Sequence, residues 1–447
     1  MRIALVSTVA SLAAFGADET NVLRLLSQGY ALSEKARYQD AEPNFREALA
    51  EAEQLGRDSR LYGEALNGLG FVRYKRGNFD EAVSLFRRAI EIQERLGDIA
   101  KLADTLNNLG TAYRQLGRFE ESEKAYLRAA EISERLYRPD QPGSHAIIVN
   151  LALLRMHLGK WKLALDGATR AVEMLRRTVG ENDLDYAAAV TAQSLIHFHM
   201  GDYYVAERLA RRARAIRERR LGRDHPETAK TANNLGEIVL AQNRRNEAEK
   251  LFREAYRVLS ATLGDQDLNT IYIINNLSAV RLLRGKPAGV AELLENAVAN
   301  IDRIQGSRHP YGLRVNENLA WAYVQTGRVR EAEAQIKRTL AKLEASVGSD
   351  SPQLVRTLNN AGEILRRSNR LDEAETYFRR ALAIAESTSG ERHPDLPTAL
   401  GNYALLLKDK GQKKESREMQ ARARKIAERH ASDNFIGQKA DLVDLMR

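Results

Sequence analysis

The feature that most constrains this chain is a spacing. Gly117, Gly159, Gly201, Asn243, Gly285, Gly327, Asn369 and Gly411 follow one another at intervals of 42 residues. Gly77 and Ala36 extend the series upstream at intervals of 40 and 41, which makes ten repeats. Glycine and asparagine accept positive φ, so each anchor reads as a tight turn between two helices. Seven residues before the anchors every side chain is small: Gly29, Gly70, Gly110, Ala152, Ser194, Gly236, Ser278, Ala320, Gly362 and Ala404. Twelve after them stand Ala48, Ala89, Ala129, Ala171, Ala213, Ala255, Ala297, Thr339, Ala381 and Ala423. Small residues at fixed sites on two helices let the pair approach closely. Nine after the anchor come larger residues, Phe45, Phe86, Tyr126, Phe252, Leu294, Ile336 and Phe378, expected to fill the space between neighbouring pairs.

Each repeat therefore reads as helix A, a turn, helix B and a short loop. Prolines 142, 226, 310, 352 and 394 share one register of the loops, three of them in His-Pro, where the first turn of a helix tolerates the missing N–H. The expectation is an all-α fold: a right-handed superhelical solenoid of about ten helix–turn–helix repeats over residues 18–430. Residues 431–447, with Phe435, Ile436, Leu442, Val443, Leu445 and Met446, are expected to cap its end. Residues 1–17 place Arg2 before an apolar run from Ile3 to Ala14. They read either as a secretory signal peptide, making the mature chain secreted or periplasmic, or as an amino-terminal cap of a cytoplasmic array. After residue 17 no uncharged apolar run approaches the roughly 20 residues that span a bilayer.

The small–large–small pattern astride a glycine turn, as in Leu106-Asn107-Asn108-Leu109-Gly110-Thr111-Ala112-Tyr113 followed by Gly117-Arg118-Phe119, resembles the tetratricopeptide repeat. The 42-residue spacing, the Asn-Asn-Leu of helix A and the Gly-x-x-His-Pro loops resemble the kinesin-light-chain type of that family. The resemblance covers residues 19 to about 430. It is to the repeats and not to a kinesin light chain itself, whose amino-terminal heptad coiled coil has no counterpart here. Three repeats depart from the pattern: the fifth has Thr191-Ala192-Gln193, the ninth Ala361 and the tenth Gly401-Asn402-Tyr403.

Catalytic chemistry finds little in the sequence. With no cysteine there is no disulfide, thiolate nucleophile, iron–sulfur cluster or Cys-ligated zinc. There is no phosphate-binding Gly-x-x-x-x-Gly-Lys-Ser/Thr, no His-Glu-x-x-His and no Gly-x-Ser-x-Gly. His157 and His199 stand one repeat apart with His197 nearby, but equivalent side chains of adjacent helix pairs start roughly 10 Å apart. No metal, no cofactor and no enzymatic role are expected.

Binding chemistry lies on helix A. Ten residues before the anchor runs one asparagine ladder, Asn67, Asn107, Asn233, Asn275 and Asn359, and one residue later a second, Asn108, Asn150, Asn234, Asn276, Asn318, Asn360 and Asn402. Amides both donate and accept, so the first ladder suits the backbone of an extended peptide; the resemblance implies the same use. The second ladder fits packing within a repeat and helix–loop hydrogen bonds better. Arg114, Lys230, Arg314, Arg356 and Arg366 add positive charge along this face, while Leu153, Met156, Leu195 and Phe198 offer an apolar anchor site. The expected function is a scaffold for a protein or peptide partner, an extended and acidic segment. None of these features fixes an oligomeric state. The alternative is nucleic-acid-associated regulation through the basic stretch from Arg208 to Arg220. Nucleic acid is the disfavoured partner, because the net charge of +9 comes from 69 basic and 60 acidic residues interspersed over the whole length, and no aromatic platform accompanies the arginines.

Overall fold

The computed structural model describes residues 17–35, 37–136, 145–305, 310–388 and 390–445. The expected signal or cap at the amino end, the turn anchor Ala36, the loops carrying Pro142 and His309, and the side chains of the expected capping segment 431–447 lie outside the described residues. The chain forms two compact units, residues 1–270 and 271–447, each taken here by itself. All described regular structure is helical, apart from a short 3-10 turn at Gly390–Arg392 every element being an α-helix.

The first unit holds six A–B pairs: α1 (Ala17–Glu34) with α2 (Tyr38–Leu55), α3 (Arg60–Lys75) with α4 (Phe79–Leu96), α5 (Ile99–Gln115) with α6 (Phe119–Leu136), α7 (His145–His157) with α8 (Trp161–Thr178), α9 (Leu184–His199) with α10 (Tyr203–Leu221), and α11 (Pro226–Ala241) with α12 (Arg245–Leu263). Helix α13 (Leu268–Leu283) begins at its boundary. The second unit continues with α14 (Val290–Gln305), the pair α15 (Pro310–Gln325) and α16 (Val329–Val347), the pair α17 (Leu354–Arg367) and α18 (Leu371–Thr388), and α19 (Leu396–Asp409) with α20 (Lys413–Leu445). Within the first unit each A helix from α1 to α11 also touches the next A helix, as α15, α17 and α19 do in the second. This is an all-α solenoid of stacked hairpins. No helix among the described residues is long and apolar enough to cross a membrane.

Every described anchor has positive φ, from 58° at Asn369 to 87° at Gly201. At the third repeat the Gly117 N–H donates to the Arg114 carbonyl (3.2 Å) and the Arg118 N–H to that of Tyr113 (2.9 Å), closing α5 in the reversed turn that only such a residue permits. The next loop starts the following helix A. Asp183, His225, Asp267, Ser351 and His393 occupy one register, and each side chain accepts a backbone N–H two residues on: Asp185 (2.8 Å), Glu227 (3.1 Å), Asn269 (2.8 Å), Gln353 (3.4 Å) and Asp395 (3.2 Å). The His-Pro loops thus carry a cap as well as a proline, since a neutral imidazole accepts through Nδ1 as a carboxylate does.

The core corrects one expectation. The large residue nine after the anchor packs inside its own repeat, against the small residue seven before it. A Cβ added to Gly29 would lie 2.8 Å from the Phe45 ring, and at Gly70, Gly110, Gly236 and Gly362 the equivalent distances to Phe86, Tyr126, Phe252 and Phe378 are 2.8, 2.8, 2.5 and 2.9 Å. Where the small residue is Ala or Ser the partner shrinks: Ala152 with Ala168, Ser194 with Ala210, Ser278 with Leu294, Ala320 with Ile336. A bulkier residue at the first site thus goes with a smaller one at the second, which avoids overpacking where the two helices approach. Among these partners only Phe45 also meets a glycine of the next repeat, Gly68.

Candidate peptide-binding face

The two asparagine ladders are one structure. In the first unit the Asn108 side-chain amide donates to Asn67 Oδ1 (3.1 Å) and that of Asn150 to Asn107 Oδ1 (2.9 Å). In the second, Asn318 donates to Asn275 (2.8 Å) and Asn402 to Asn359 (3.2 Å). Each rung joins the second-ladder residue of one repeat to the first-ladder residue of the repeat before it. Asn107, Asn275 and Asn359 are buried, as is Asn233 at 2% exposure, which donates instead to Glu237 (3.0 Å) within α11. The carbonyl end of four first-ladder residues is therefore spent on holding repeats together. At Asn107 and Asn359 no described residue accepts from the NH2 end.

The cations of this face are mostly shared with the chain's own acids. Lys230 pairs with Glu227, Arg356 with Glu317 (3.4 Å), and Arg366 with Glu363 (2.7 Å) and Asp409. Burial alone would raise the Glu363 carboxyl; hydrogen bonds from Arg366 and Arg367 outweigh it and hold the group below the usual range. Glu317 goes the other way, burial pushing it up despite Arg356 and Thr357. Arg314 is exposed and makes no ion pair among the described residues. Arg114 faces His157, Nη1 to Nε2 3.3 Å. Burial first, then Arg114 and His199, lowers His157 to about 4, so at neutral pH the imidazole is the acceptor. No group of three metal-ligating residues occurs among the described residues. Leu153 and Leu195 lie half-buried over Met156 and Ile196, and Phe198 stands edge-on to His199 at 5.2 Å.

Three of the seven arginines in the basic stretch of α10 are paired with glutamates. Arg211 bonds Glu207 and Glu247, Arg214 bonds Glu218 and Glu254, and Arg212 bonds Glu181, all at 2.7 to 2.8 Å. Arg219 donates to Asn182 (3.0 Å).

Two features escape residue-type reading. Lys75 Nζ sits 5.3 to 5.9 Å from the ring centres of Tyr38, Phe71 and Tyr74. Glu227 feels the field of Lys75, and burial, tempered by Lys230, lifts the Tyr38 phenol to about 12. The other is Arg217, a guanidinium in the core of α10 where Leu175, Leu259, Ile301 and Leu343 stand in other repeats. That departure from register is legible in the sequence.

Stacked helical hairpins with small–large contacts inside each pair and polar rungs along the A helices define a helical-repeat scaffold. The tetratricopeptide repeat model matches residues 21–95, 188–261 and 348–429, and a second model of the same description matches 102–143 and 317–353. The chain belongs to the tetratricopeptide repeat family. Among solved structures it is similar to the apo quorum sensor NprR of B. thuringiensis (15% identity, 82% of this chain and 99% of that one, TM-score 0.51). It is also similar to a signal transduction ATPase with numerous domains and a tetratricopeptide-repeat sensor from Pyrococcus horikoshii (16%, 82% and 53%, TM-score 0.54). Both likenesses are of fold. Kinesin-light-chain TPR-like repeats of Podosopora anserina match at 21% identity over 47% of this chain and 98% of theirs, TM-score 0.41. No curated protein matches.

Proposed function

We propose that the chain is a non-enzymatic interaction scaffold whose A-helix face takes an extended, acidic segment of a partner protein. The observation that carries this reading is the amide row. With its carbonyl fixed by the next repeat, the Asn107 side chain is held in one orientation, and its unclaimed N–H groups suit peptide carbonyls whatever the peptide's side chains. Arg314, and Arg114 beside His157, are the cations of this face left to meet acidic residues. The basic stretch of α10, with Arg211, Arg212 and Arg214 bound to glutamates, gives nucleic acid less support.

Acidic peptides titrated by fluorescence anisotropy test the reading. Asn107→Ala is expected to weaken binding about tenfold, near the net value of one well-placed hydrogen bond. Asn150→Ala breaks the same rung from the other side but leaves the Asn107 amide in place, and is expected to weaken binding less than Asn107→Ala does. Equal affinity in Asn107→Ala and the wild type would remove the first ladder from the interface.

A further inference from the structure

Arg217 is 9% exposed, and no carboxylate lies within ion-pair distance of it among the described residues. Its Nη1 donates to Thr191 Oγ1 of α9 (2.9 Å) and to Thr231 Oγ1 of α11. Thr191 occupies the register in which Asn107, Asn275 and Asn359 form their rungs, so the guanidinium stands where the amide ladder is interrupted. A missing rung explains one donor. It does not explain a full charge, because a buried cation without a contacting anion is destabilising, and an apolar side chain of similar volume commonly improves stability. Four other repeats carry that apolar side chain. The acid whose field it feels is Glu227, already paired with Lys230 and in the field of Lys75. His225, the remaining titratable neighbour, is held low first by burial, with Lys230 and Arg217 also lowering it against the pull of Glu227. The local balance among charged groups is thus positive. Nε and Nη2 have no acceptor among the described residues and are not sealed from solvent, which leaves a guanidinium edge of the planar kind that receives a carboxylate bidentately.

We propose that Arg217, framed by Thr191 and Thr231, is the seat for one carboxylate of the bound segment, an Asp or Glu side chain or a free carboxyl terminus. This rests on the scaffold reading above and adds to it a fixed anchor between the fifth and sixth repeats.

The test uses the intact chain and a peptide selected on it from a random display library. The peptide is resynthesised with each Asp or Glu replaced by its amide, and separately with an amidated carboxyl terminus. One of these replacements is expected to weaken binding to the wild type tenfold or more, and it identifies the source of the carboxylate. Arg217→Leu should weaken the parent peptide to the same degree while binding the neutralised peptide as the wild type does, and should melt no lower than the wild type. Arg217→Gln, which retains a donor for the threonines, replaces it if the leucine variant fails to fold. Unchanged affinity for the parent peptide in the Arg217 variant, or equal binding of all neutralised peptides, would overturn the anchor and leave the scaffold reading in place. If no peptide can be selected, both fall.

Discussion

At Gly236 the absence of a side chain is a packing requirement imposed by Phe252. A methyl group there would meet Phe252 at 2.5 Å, so Gly236→Ala is expected to cost about 1–3 kcal/mol in urea unfolding, the usual range for overpacking. Phe252→Leu alone opens a void and also destabilises. The double variant, Ala with Leu, comes close to the Ser278–Leu294 combination of the next repeat and is expected to recover much of the loss; strictly additive effects would refute the pairing. Both partners were visible in the sequence as registers, and the sequence reading placed the contact wrongly, between repeats. The reason is that register gives the position along a helix but not the neighbour it faces. The first ladder shows the same limit. Asparagine at ten before the anchor was legible, whereas its bond to the following repeat depends on a stagger between A helices that no single repeat encodes.

The helices are delimited by residues doing unequal work. Asp183 and His225 cap α9 and α11 in the same way, but only the imidazole loses its acceptor on protonation. Burial lowers the His225 pKa below the ordinary value near 6.5. The folded chain therefore binds this proton less readily than the unfolded chain. The cap's contribution is full above about pH 6.5 and is lost as the pH falls through the folded value. His225→Asp restores the residue type found at Asp183 and Asp267 and is expected to reduce the drop in melting temperature between pH 7.5 and pH 5. An unaltered pH slope in that variant would show that α11 does not depend on the histidine cap. The sequence displayed His-Pro three times, and the proline drew the explanation because its role is local. The histidine's role needed the register of Asp183, Asp267 and Ser351 beside it.

A solenoid has no central core, and each repeat relies on its neighbours. The effect of a local lesion should then stay local. Gly70→Ala, which drives a methyl group against Phe86 at 2.8 Å, is expected to speed amide hydrogen exchange in α1 to α6 while leaving α15 to α19 as in the wild type. Acceleration throughout the chain would mean that the array opens as one cooperative block. The two kinds of contact also differ in how they would survive gene rearrangement. A glycine and its aromatic partner lie within one 42-codon stretch, so duplicating or deleting that stretch carries the pair along intact. An asparagine rung belongs to the seam between two copies and holds only if both neighbours supply their halves. Val149 and Thr191 stand where the first ladder lacks its asparagine, and such seams are where a copied repeat has freedom to diverge. Arg217 lies at one of them.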